Sequence, residues 1–88
     1  MIITEKTIGA KASVIYRYKI ELDTMSDVRE FVAAAAKCDD EIAVRTGELR
    51  VSAKSFLGVT LARKLNWNDI TIESEHDHYG EFRRFIVD

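Results

Sequence analysis

The stretch Leu49–Leu65 reads LRVSAKSFLGVTLARKL, and it contains the signals of a strand, a turn and a helix in direct succession. Leu49 and Val51 alternate with polar residues, which is the period of a strand with one buried face. Ser55 is a favoured N-cap residue, and apolar residues recur after it at helical spacing. The stretch therefore predicts a strand that is followed, after a short polar turn, by a helix over residues 55–65.

The segment before this stretch predicts the partner strand of a hairpin. Residues 41–45, EIAVR, alternate in polarity, and the turn sequence TGE separates them from LRVSA. Gly47 supplies the positive φ that a tight turn between antiparallel strands often needs. Farther upstream, residues 14–22, VIYRYKIEL, are β-branched and aromatic, with Ile20 and Leu22 alternating against charged residues. They predict the first strand.

The segment between the first strand and the hairpin predicts a helix over residues 25–37. It opens with DTMSD, in which Thr24 and Asp27 have the spacing of a capping box. The apolar residues that follow have the i, i+3, i+4, i+7 spacing of a helix packed on one face. They are Val28, Phe31, Val32 and Ala35.

The last part of the chain predicts a fourth strand and a third helix. Residues 69–74, DITIES, alternate as a strand does, and residues 78–88, HYGEFRRFIVD, place Phe82, Phe85 and Ile86 on one side of a short helix. The resulting order favours an α+β fold over a doubly wound parallel sheet. We therefore expect four strands in one mostly antiparallel sheet and three helices on one face, near 25–37, 55–65 and 78–86.

Length, charge and cysteine content limit the classes of protein. The chain of 88 residues predicts a single domain, residues 1–88, in which residues 1–10 form an N-terminal extension. Its 13 Lys and Arg and 15 Asp and Glu are mixed along the chain and give a formal net charge of -2, which argues against nucleic-acid binding. No apolar run fits a signal peptide or a membrane span, and the single Cys38 forms no internal disulfide. We expect a cytoplasmic protein without membrane insertion.

Residues 30–74, EFVAAAAKCDDEIAVRTGELRVSAKSFLGVTLARKLNWNDITIES, resemble the middle of HPr, the histidine-containing phosphocarrier protein of the bacterial sugar phosphotransferase system. The resemblance covers about residues 14–86. Its most specific part is SAKSFLGVTLA, residues 52–62, which is similar to the opening of the family's second helix. The resemblance implies an open-faced β-sandwich, in which three helices cover a four-stranded antiparallel sheet, and a role in sugar transport or its regulation.

The phosphoryl acceptor is where this chain departs from the family. In HPr proteins a histidine just before the first helix, followed two residues later by an arginine, carries a phosphoryl group received from enzyme I. Thr24 stands at the histidine position here and Ser26 at the arginine position. A threonine hydroxyl without an adjacent base is a poor nucleophile, and Asp23 and Asp27 place negative charge where a phosphate would dock. We therefore expect no phosphocarrier site, no catalytic residue and no cofactor.

The two histidines of the chain offer no obvious replacement. His76 and His78, in EHDHYG, follow the last strand, and by the resemblance they lie far from the first helix's N-terminus. We expect them in a solvated loop. A zinc site that also uses Asp77 and Cys38 is the alternative, but H-x-H alone is a weak signal. Cys38 is better explained as a small apolar residue that closes the first helix, so we expect no metal.

Ser55 has two candidate roles. The first is that of a plain N-cap, which the sequence favours. The second is implied by the resemblance, because some HPr proteins are phosphorylated by a regulatory kinase at the serine that opens the second helix. A phosphate at a helix N-terminus is stabilised by the free N–H groups and by the helix dipole.

The second helix has more apolar residues than one face can bury. Val59 and Ala62 suit the core side, and the remaining apolar residues cannot all turn inward with them at about 100° per residue. The alternatives are that the N-terminal residues or a second copy of the chain cover the remaining face, or that this face docks partner proteins. The resemblance implies the latter for a patch that contains Phe56, Leu57, Thr60 and Leu61.

The leading hypothesis is a non-catalytic binding or regulatory module with an HPr-like fold that has lost the phosphoryl acceptor. The alternative is a working phosphocarrier or regulator of the phosphotransferase system that is phosphorylated at Ser55. The expected partners are enzyme I-like or regulatory proteins of that system, or a second copy in a homo-oligomer. An unrelated enzyme is disfavoured because the sequence shows no nucleophile–base pair, metal cluster or phosphate-binding glycine loop.

Overall fold

The computed structural model describes the backbone of residues 2–8 and 11–87 and the side chains of residues 15–87. From the second strand onward, the elements follow the predicted order of strand, helix, hairpin, helix, strand and helix. The elements are β1 (Ile2–Ile8), β2 (Lys11–Ile20), α1 (Met25–Ala36), β3 (Ile42–Thr46), β4 (Leu49–Ser52), α2 (Phe56–Leu65), β5 (Ile70–Ser74) and α3 (Tyr79–Phe82).

The strands form one antiparallel sheet in the spatial order β1-β2-β5-β3-β4. The predicted α+β fold, an antiparallel sheet with three helices, is confirmed, and the four predicted strands are β2, β3, β4 and β5. The central strand β5 pairs Ile72 with Tyr18 of β2 on one side and with Val44 of β3 on the other. Because these partners are far apart in sequence, the middle of the sheet forms only when both ends of the chain meet.

A fifth strand, β1, extends the sheet beyond the four that the sequence predicts. Residues 1–10 are predicted as an extension, whereas Ile2–Ile8 pair with β2 from Ile2 opposite Arg17 to Ile8 opposite Lys11. An edge strand of this kind is stabilised by pairing with its neighbour, so its amino-acid composition alone does not predict it. β1 forms the edge of the sheet opposite to β4.

The helices of the described chain cover one face of the sheet. α1 buries Val28, Phe31 and Ala35, and α2 buries Val59 and Ala62, as the apolar spacing of both helices predicts. Replacing a buried phenylalanine such as Phe31 by alanine costs about 3–5 kcal/mol. The helices share one core with the sheet residues that face them, among them Ile20, Val44, Ile70 and Ile72.

Two glycines determine how β3, β4 and α2 meet. Gly47, with φ 58°, lies in the tight turn between the paired residues Thr46 and Leu49, as predicted. Gly58 lies where α2 packs on β4, and a Cβ atom there would come within 3.0 Å of the Val51 Cβ. The first turn of α2 therefore approaches the sheet closely on one side and leaves its other side to solvent.

The third helix is shorter than predicted. It spans Tyr79–Phe82 instead of residues 78–86, because the chain then turns toward the end of β2. There the Glu21 N–H donates to the Phe85 carbonyl and the Val87 N–H donates to the Lys19 carbonyl, both at 2.9 Å, so this segment pairs with the end of β2 instead of continuing the helix. The predicted apolar side of the segment does pack against the core, through Phe82, Phe85 and Ile86.

Candidate functional site

The N-terminus of α1 is where the resemblance places the phosphoryl acceptor. Thr24 is the N-cap residue, and its hydroxyl oxygen accepts a hydrogen bond from the Asp27 N–H at 3.1 Å. The Asp27 carboxylate accepts from the Thr24 N–H at 3.2 Å and from the Asp23 N–H at 3.0 Å. The predicted capping box is therefore formed, with aspartate at the position that more often holds glutamate.

Further contacts keep the Asp27 carboxylate at this helix end. Arg84 Nη2 lies 3.1 Å from Asp27 Oδ1, and its Nη1 lies 3.2 Å from Glu30 Oε1. The Ser26 hydroxyl also donates to Glu30, at 3.3 Å. Burial raises the pKa of Asp27, but the backbone N–H groups and Arg84 outweigh burial and hold the pKa below its usual range. The positive end of α1 is thus occupied by a carboxylate of the chain itself.

The N-terminus of α2 has the opposite electrostatic character. Ser55 is its exposed N-cap residue, and the hydroxyl oxygen accepts a hydrogen bond from the Gly58 N–H at 3.1 Å. The first turn of α2 contains no Asp or Glu, and Lys54 precedes the cap. An anion at this end of α2 would be favoured by the helix dipole and would meet no carboxylate of the helix.

The outer side of α2 presents apolar side chains to solvent. Leu57 is 80% exposed, Leu61 46% and Leu65 64%. Because they are spaced four residues apart, these three leucines lie along one line of the helix, which we call the leucine stripe. Phe56, 38% exposed, lies at its start, and Trp67, 58% exposed, lies just beyond its end.

The leucine stripe includes most of the patch predicted from the sequence and is longer. Phe56, Leu57 and Leu61 are exposed as predicted, while Thr60 is half-buried beside them. Leu65 was not among the predicted residues, although its spacing from Leu57 and Leu61 is the signal that would have found it. Trp67 also was not predicted, because it follows the helix and has no periodic relation to the leucines.

The expectation that the N-terminal residues could cover this surface is wrong. α2 packs against β3 and β4, which lie at one side of the sheet. The N-terminal strand β1 pairs with β2 at the opposite edge. The pairing of β1 with β2 thus holds the N-terminal residues away from the leucine stripe, and the described chain leaves the stripe uncovered.

The C-terminal end of α2 is tied to the loop that carries the acceptor-equivalent residue. Arg63 Nε donates to the Leu22 carbonyl at 2.6 Å, and its Nη2 donates to the Asp23 carbonyl at 2.6 Å. Thr24 directly follows, so the Arg63 side chain connects α2 to the N-terminus of α1. The segment that contains α2 is basic, because residues 51–68 contain three Lys or Arg and no Asp or Glu.

The histidines are held by a carboxylate that the sequence did not single out. The His78 side chain is only 13% exposed, and its Nε2 lies 2.9 Å from Asp40 Oδ1. His76 Nδ1 lies 3.0 Å from Asp40 Oδ2, to which the Ser74 hydroxyl also donates at 3.0 Å. The predicted solvated loop is therefore wrong for His78, because Asp40, between α1 and β3, draws the imidazole inward. No sequence motif links residues that lie so far apart.

These donors stabilise the ionised form of Asp40 in the folded chain. The hydrogen bond from His78, and then those from His76 and Ser74, hold the pKa of Asp40 well below its usual range against the opposing effect of burial. Asp77 is held separately, by the Tyr18 hydroxyl and by the Tyr79 N–H. Within the described residues, no group of three or more His, Cys, Asp and Glu side chains is arranged to hold a metal ion.

Cys38 lies next to this cluster but lacks the surroundings of a nucleophile. Its Sγ is 3.8 Å from His78 Nδ1, so a thiol, an imidazole and the Asp40 carboxylate follow one another. However, Cys38 lies just beyond the C-terminal end of α1, where the helix dipole disfavours a thiolate. Burial, and the charges of Glu81 and Asp40, raise the pKa of the thiol. The thiol therefore stays protonated at neutral pH. The contacts of Asp40 with His76 and His78 connect the loop between α1 and β3 to the loop between β5 and α3.

Comparison of the chain with protein-family models, with curated proteins and with solved structures finds no match. Among the described residues, no helix is both long enough and apolar enough to cross a membrane. The function is therefore inferred from the surfaces and contacts described above.

Proposed function

We propose that the chain is a non-catalytic binding or regulatory module of the HPr-like type, acting in the cytoplasm, which docks a protein partner through the leucine stripe. The observation that carries this proposal is the exposure of Leu57, Leu61 and Leu65, at 80%, 46% and 64%, along one line of α2. Leaving a row of large apolar side chains in water forgoes the free energy of their burial, and such rows commonly mark interaction surfaces.

The partner class follows from the charges around the stripe. Lys64 lies beside the leucines on α2, Lys54 precedes the helix with its ammonium group donating to the Cys38 carbonyl at 2.6 Å, and no acidic residue lies between residues 49 and 68. A partner with apolar pockets and an acidic rim would therefore match this surface in both polarity and charge. Enzyme I-like or regulatory proteins of the phosphotransferase system are the proposed partners, because the order of elements and the open-faced sheet support the HPr-like assignment.

The absence of catalysis is proposed from the state of the side chains in question. The Thr24 hydroxyl is an acceptor in the capping box, and the Asp27 carboxylate with its Arg84 partner occupies the space at the helix end. A phosphoryl group arriving there would meet like charge and would have to displace the cap. The Cys38 thiol, with its raised pKa, supplies no alternative nucleophile at neutral pH.

The proposal is tested by titrating purified bacterial enzyme I into the isotope-labelled chain and following the amide resonances. We expect shifts in α2 and in the loop that Arg63 holds. Leu57→Glu should abolish them, because it places a charge in a desolvated contact. Its thermal unfolding should match that of the parent chain, because Leu57 is 80% exposed.

Ala33→Glu serves as the matched control, because Ala33 is exposed on α1 and the change adds the same charge to a helix. This variant should bind as the parent does. Shifts that map to another surface, or a large loss of stability in Leu57→Glu, would contradict the proposal. If a regulatory protein of the system replaces enzyme I in the titration, the same variants apply.

A second candidate function, regulation by phosphorylation at Ser55, is favoured by one observation. The hydroxyl is exposed at a helix end without acidic residues, in contrast to the α1 N-terminus. Incubation with an HPr-type serine kinase and ATP should add one phosphoryl group to the parent chain and none to Ser55→Ala. The added charge lies beside Phe56, so the phosphorylated chain should bind an acidic partner more weakly. An unmodified parent chain would rule this function out for the kinase used.

A further inference from the structure

The sheet face that carries no helix has an unusual charge arrangement around Glu73. This residue of β5 is 8% exposed, and its carboxylate accepts a hydrogen bond from Arg17 Nε at 2.8 Å. Two more guanidinium groups approach the same carboxylate, that of Arg45 at 3.6 Å and that of Arg50 at 3.7 Å. The charges of Arg45 and Arg50 alone therefore exceed the single negative charge of Glu73, and the excess is positive.

The two more distant arginines retain hydrogen-bonding capacity. The Arg45 side chain is 47% exposed and the Arg50 side chain 62%. Both lie beyond hydrogen-bond distance of Glu73, and within the described residues neither side chain makes another hydrogen bond. Because Arg45 and Arg50 are paired across β3 and β4 and both approach Glu73, they could together bind a second carboxylate. We call this place the arginine end.

The arginine end opens onto a concavity of about 580 Å³ whose far side is acidic. Glu41, just before β3, and Glu75, just after β5, line that side and form the glutamate end, while Ile15 adds an apolar wall. Glu73 lies opposite Ala43, two residues along β3 from Glu41. Alternate residues of a strand are about 7 Å apart along it, so the backbone positions of Glu41 and of the residue opposite Glu73 have this spacing.

We propose that this concavity binds a small aliphatic zwitterion, with its carboxylate at the arginine end and its ammonium group at the glutamate end. The two ends have opposite charge and a separation that a short carbon chain can span. A ligand with only a negative charge would be attracted by the arginine end and repelled by the glutamate end. A ligand with only a positive charge would be attracted by the glutamate end and repelled by the arginine end. Only a ligand with both charges satisfies both ends at once.

The test uses three probes with a similar carbon chain. These are 6-aminohexanoate, which has both charges, hexanoate, which has only the carboxylate, and hexylammonium, which has only the ammonium group. Amide resonances of the labelled full chain report the binding. We expect 6-aminohexanoate to shift resonances of β3, β4 and β5 around the concavity and to bind at least about tenfold more tightly than either single-charge probe.

Variants at the two ends separate the roles of the charges. Arg50→Gln, on the edge strand and 62% exposed, should weaken 6-aminohexanoate binding about tenfold and leave the sheet intact. Glu41→Gln combined with Glu75→Gln should weaken 6-aminohexanoate and strengthen hexanoate, because the repulsion of the carboxylate is removed. This reversal of charge preference would not follow from a merely structural role.

Two control variants carry the same changes at exposed positions away from the concavity. Arg29→Gln, on α1, and Glu48→Gln, in the hairpin turn, should bind 6-aminohexanoate as the parent chain does. Equal affinity for the three probes, shifts confined to α2, or no shift up to about 10 mM probe would overturn the proposal. Equal affinities or a missing shift would leave docking at the leucine stripe unaffected, because the stripe lies on the helical side of the sheet.

Discussion

Glu73 is held in place by arginines from three different strands. Their positive charges offset the cost of burying its carboxylate. Burial raises the pKa of Glu73, but the hydrogen bond from Arg17 and the charges of Arg45 and Arg50 outweigh it and hold the pKa below its usual range. Ionised Glu73 thus joins β2, β3 and β4 across β5, the strand to which it belongs. Without this charge, the guanidinium groups of Arg45 and Arg50 would lie close together without a carboxylate between them.

We predict that Glu73→Gln lowers the free energy of unfolding by about 1–3 kcal/mol at pH 7, because the charge-assisted hydrogen bond from Arg17 and the ion pairs with Arg45 and Arg50 are lost. The folded-state pKa lies below that of the unfolded chain, so the contribution is complete above the unfolded value. It is lost as pH falls through the folded value. Urea unfolding at pH 7 and near pH 3 should therefore show a difference from the parent chain that shrinks in acid. Equal stability at pH 7 would contradict the prediction.

Asp40 has the same sign of pH dependence for a different reason. Its pKa is lowered chiefly by the His78 hydrogen bond, so its stabilising contribution is present above the unfolded pKa and lost as pH falls below it. Asp40→Asn should lower the free energy of unfolding at pH 7 by about 1–2 kcal/mol and have a smaller effect in acid. Asp39→Asn, at the exposed neighbouring position, is the matched control and should leave the urea midpoint unchanged. The prediction fails if both variants unfold alike.

At the level of elements, the two long helices begin with opposite electrostatics. α1 starts with an ionised Asp27 inside its capping box, whereas α2 starts at Ser55 without an acidic residue in its first turn. The same structural device, a hydroxyl N-cap, therefore excludes an anion at one helix and leaves room for it at the other. The difference between the two helix ends is a consequence of the local sequence.

We predict that incubation with enzyme I and phosphoenolpyruvate leaves the mass of the chain unchanged. The Thr24 hydroxyl accepts the capping hydrogen bond, and Asp27 holds negative charge at the helix end. Thr24→His with Ser26→Arg should still transfer poorly, and adding Asp27→Ala should improve transfer by removing the competing carboxylate. Intact mass measured under neutral conditions, which preserve phosphohistidine, reports each variant. Phosphorylation of the parent chain at a histidine would contradict the prediction.

The elements that the sequence predicts well are those fixed by neighbouring residues. The capping box at Thr24, the turn at Gly47 and the buried side of α1 depend on contacts within a few positions, and all three are present. The early end of α3 depends instead on the hydrogen bonds that the residues after it make with the end of β2. The strand β1 depends on its pairing with β2. Such long-range contacts leave little trace in local periodicity.

The candidate sites show the same difference between local and long-range contacts. Leu57 and Leu61 were predicted to be exposed because helical period and apolar content disagree within one segment. The clamp on His78 was missed because Asp40 is distant in sequence and nothing in the local pattern marks it as an acceptor. The cluster around Glu73 was also missed, since each arginine taken alone resembles an ordinary solvent-facing strand residue.

At the scale of the whole molecule, the distribution of charge over the surface matters more for partner binding than the net charge does. The net charge is -2, yet residues 51–68, which include α2, carry three Lys or Arg and no Asp or Glu. The acidic residues are therefore concentrated elsewhere, and the leucine stripe lies in a locally positive region. A surface of this kind attracts an acidic partner over several ångströms and repels a second copy of itself.

We therefore predict that the chain does not self-associate through the leucine stripe. A two-fold contact between stripes would bring the basic α2 surroundings of one copy against those of the other, because the same patch is used on both sides. Sedimentation equilibrium at low ionic strength should report the mass of a single chain. High salt screens the repulsion, so any weak dimer formed through the stripe should grow with salt and be removed by Leu61→Arg. A dimer that is present at low salt, and that Leu61→Arg dissolves, would show instead that a second copy is the partner for which the stripe is exposed.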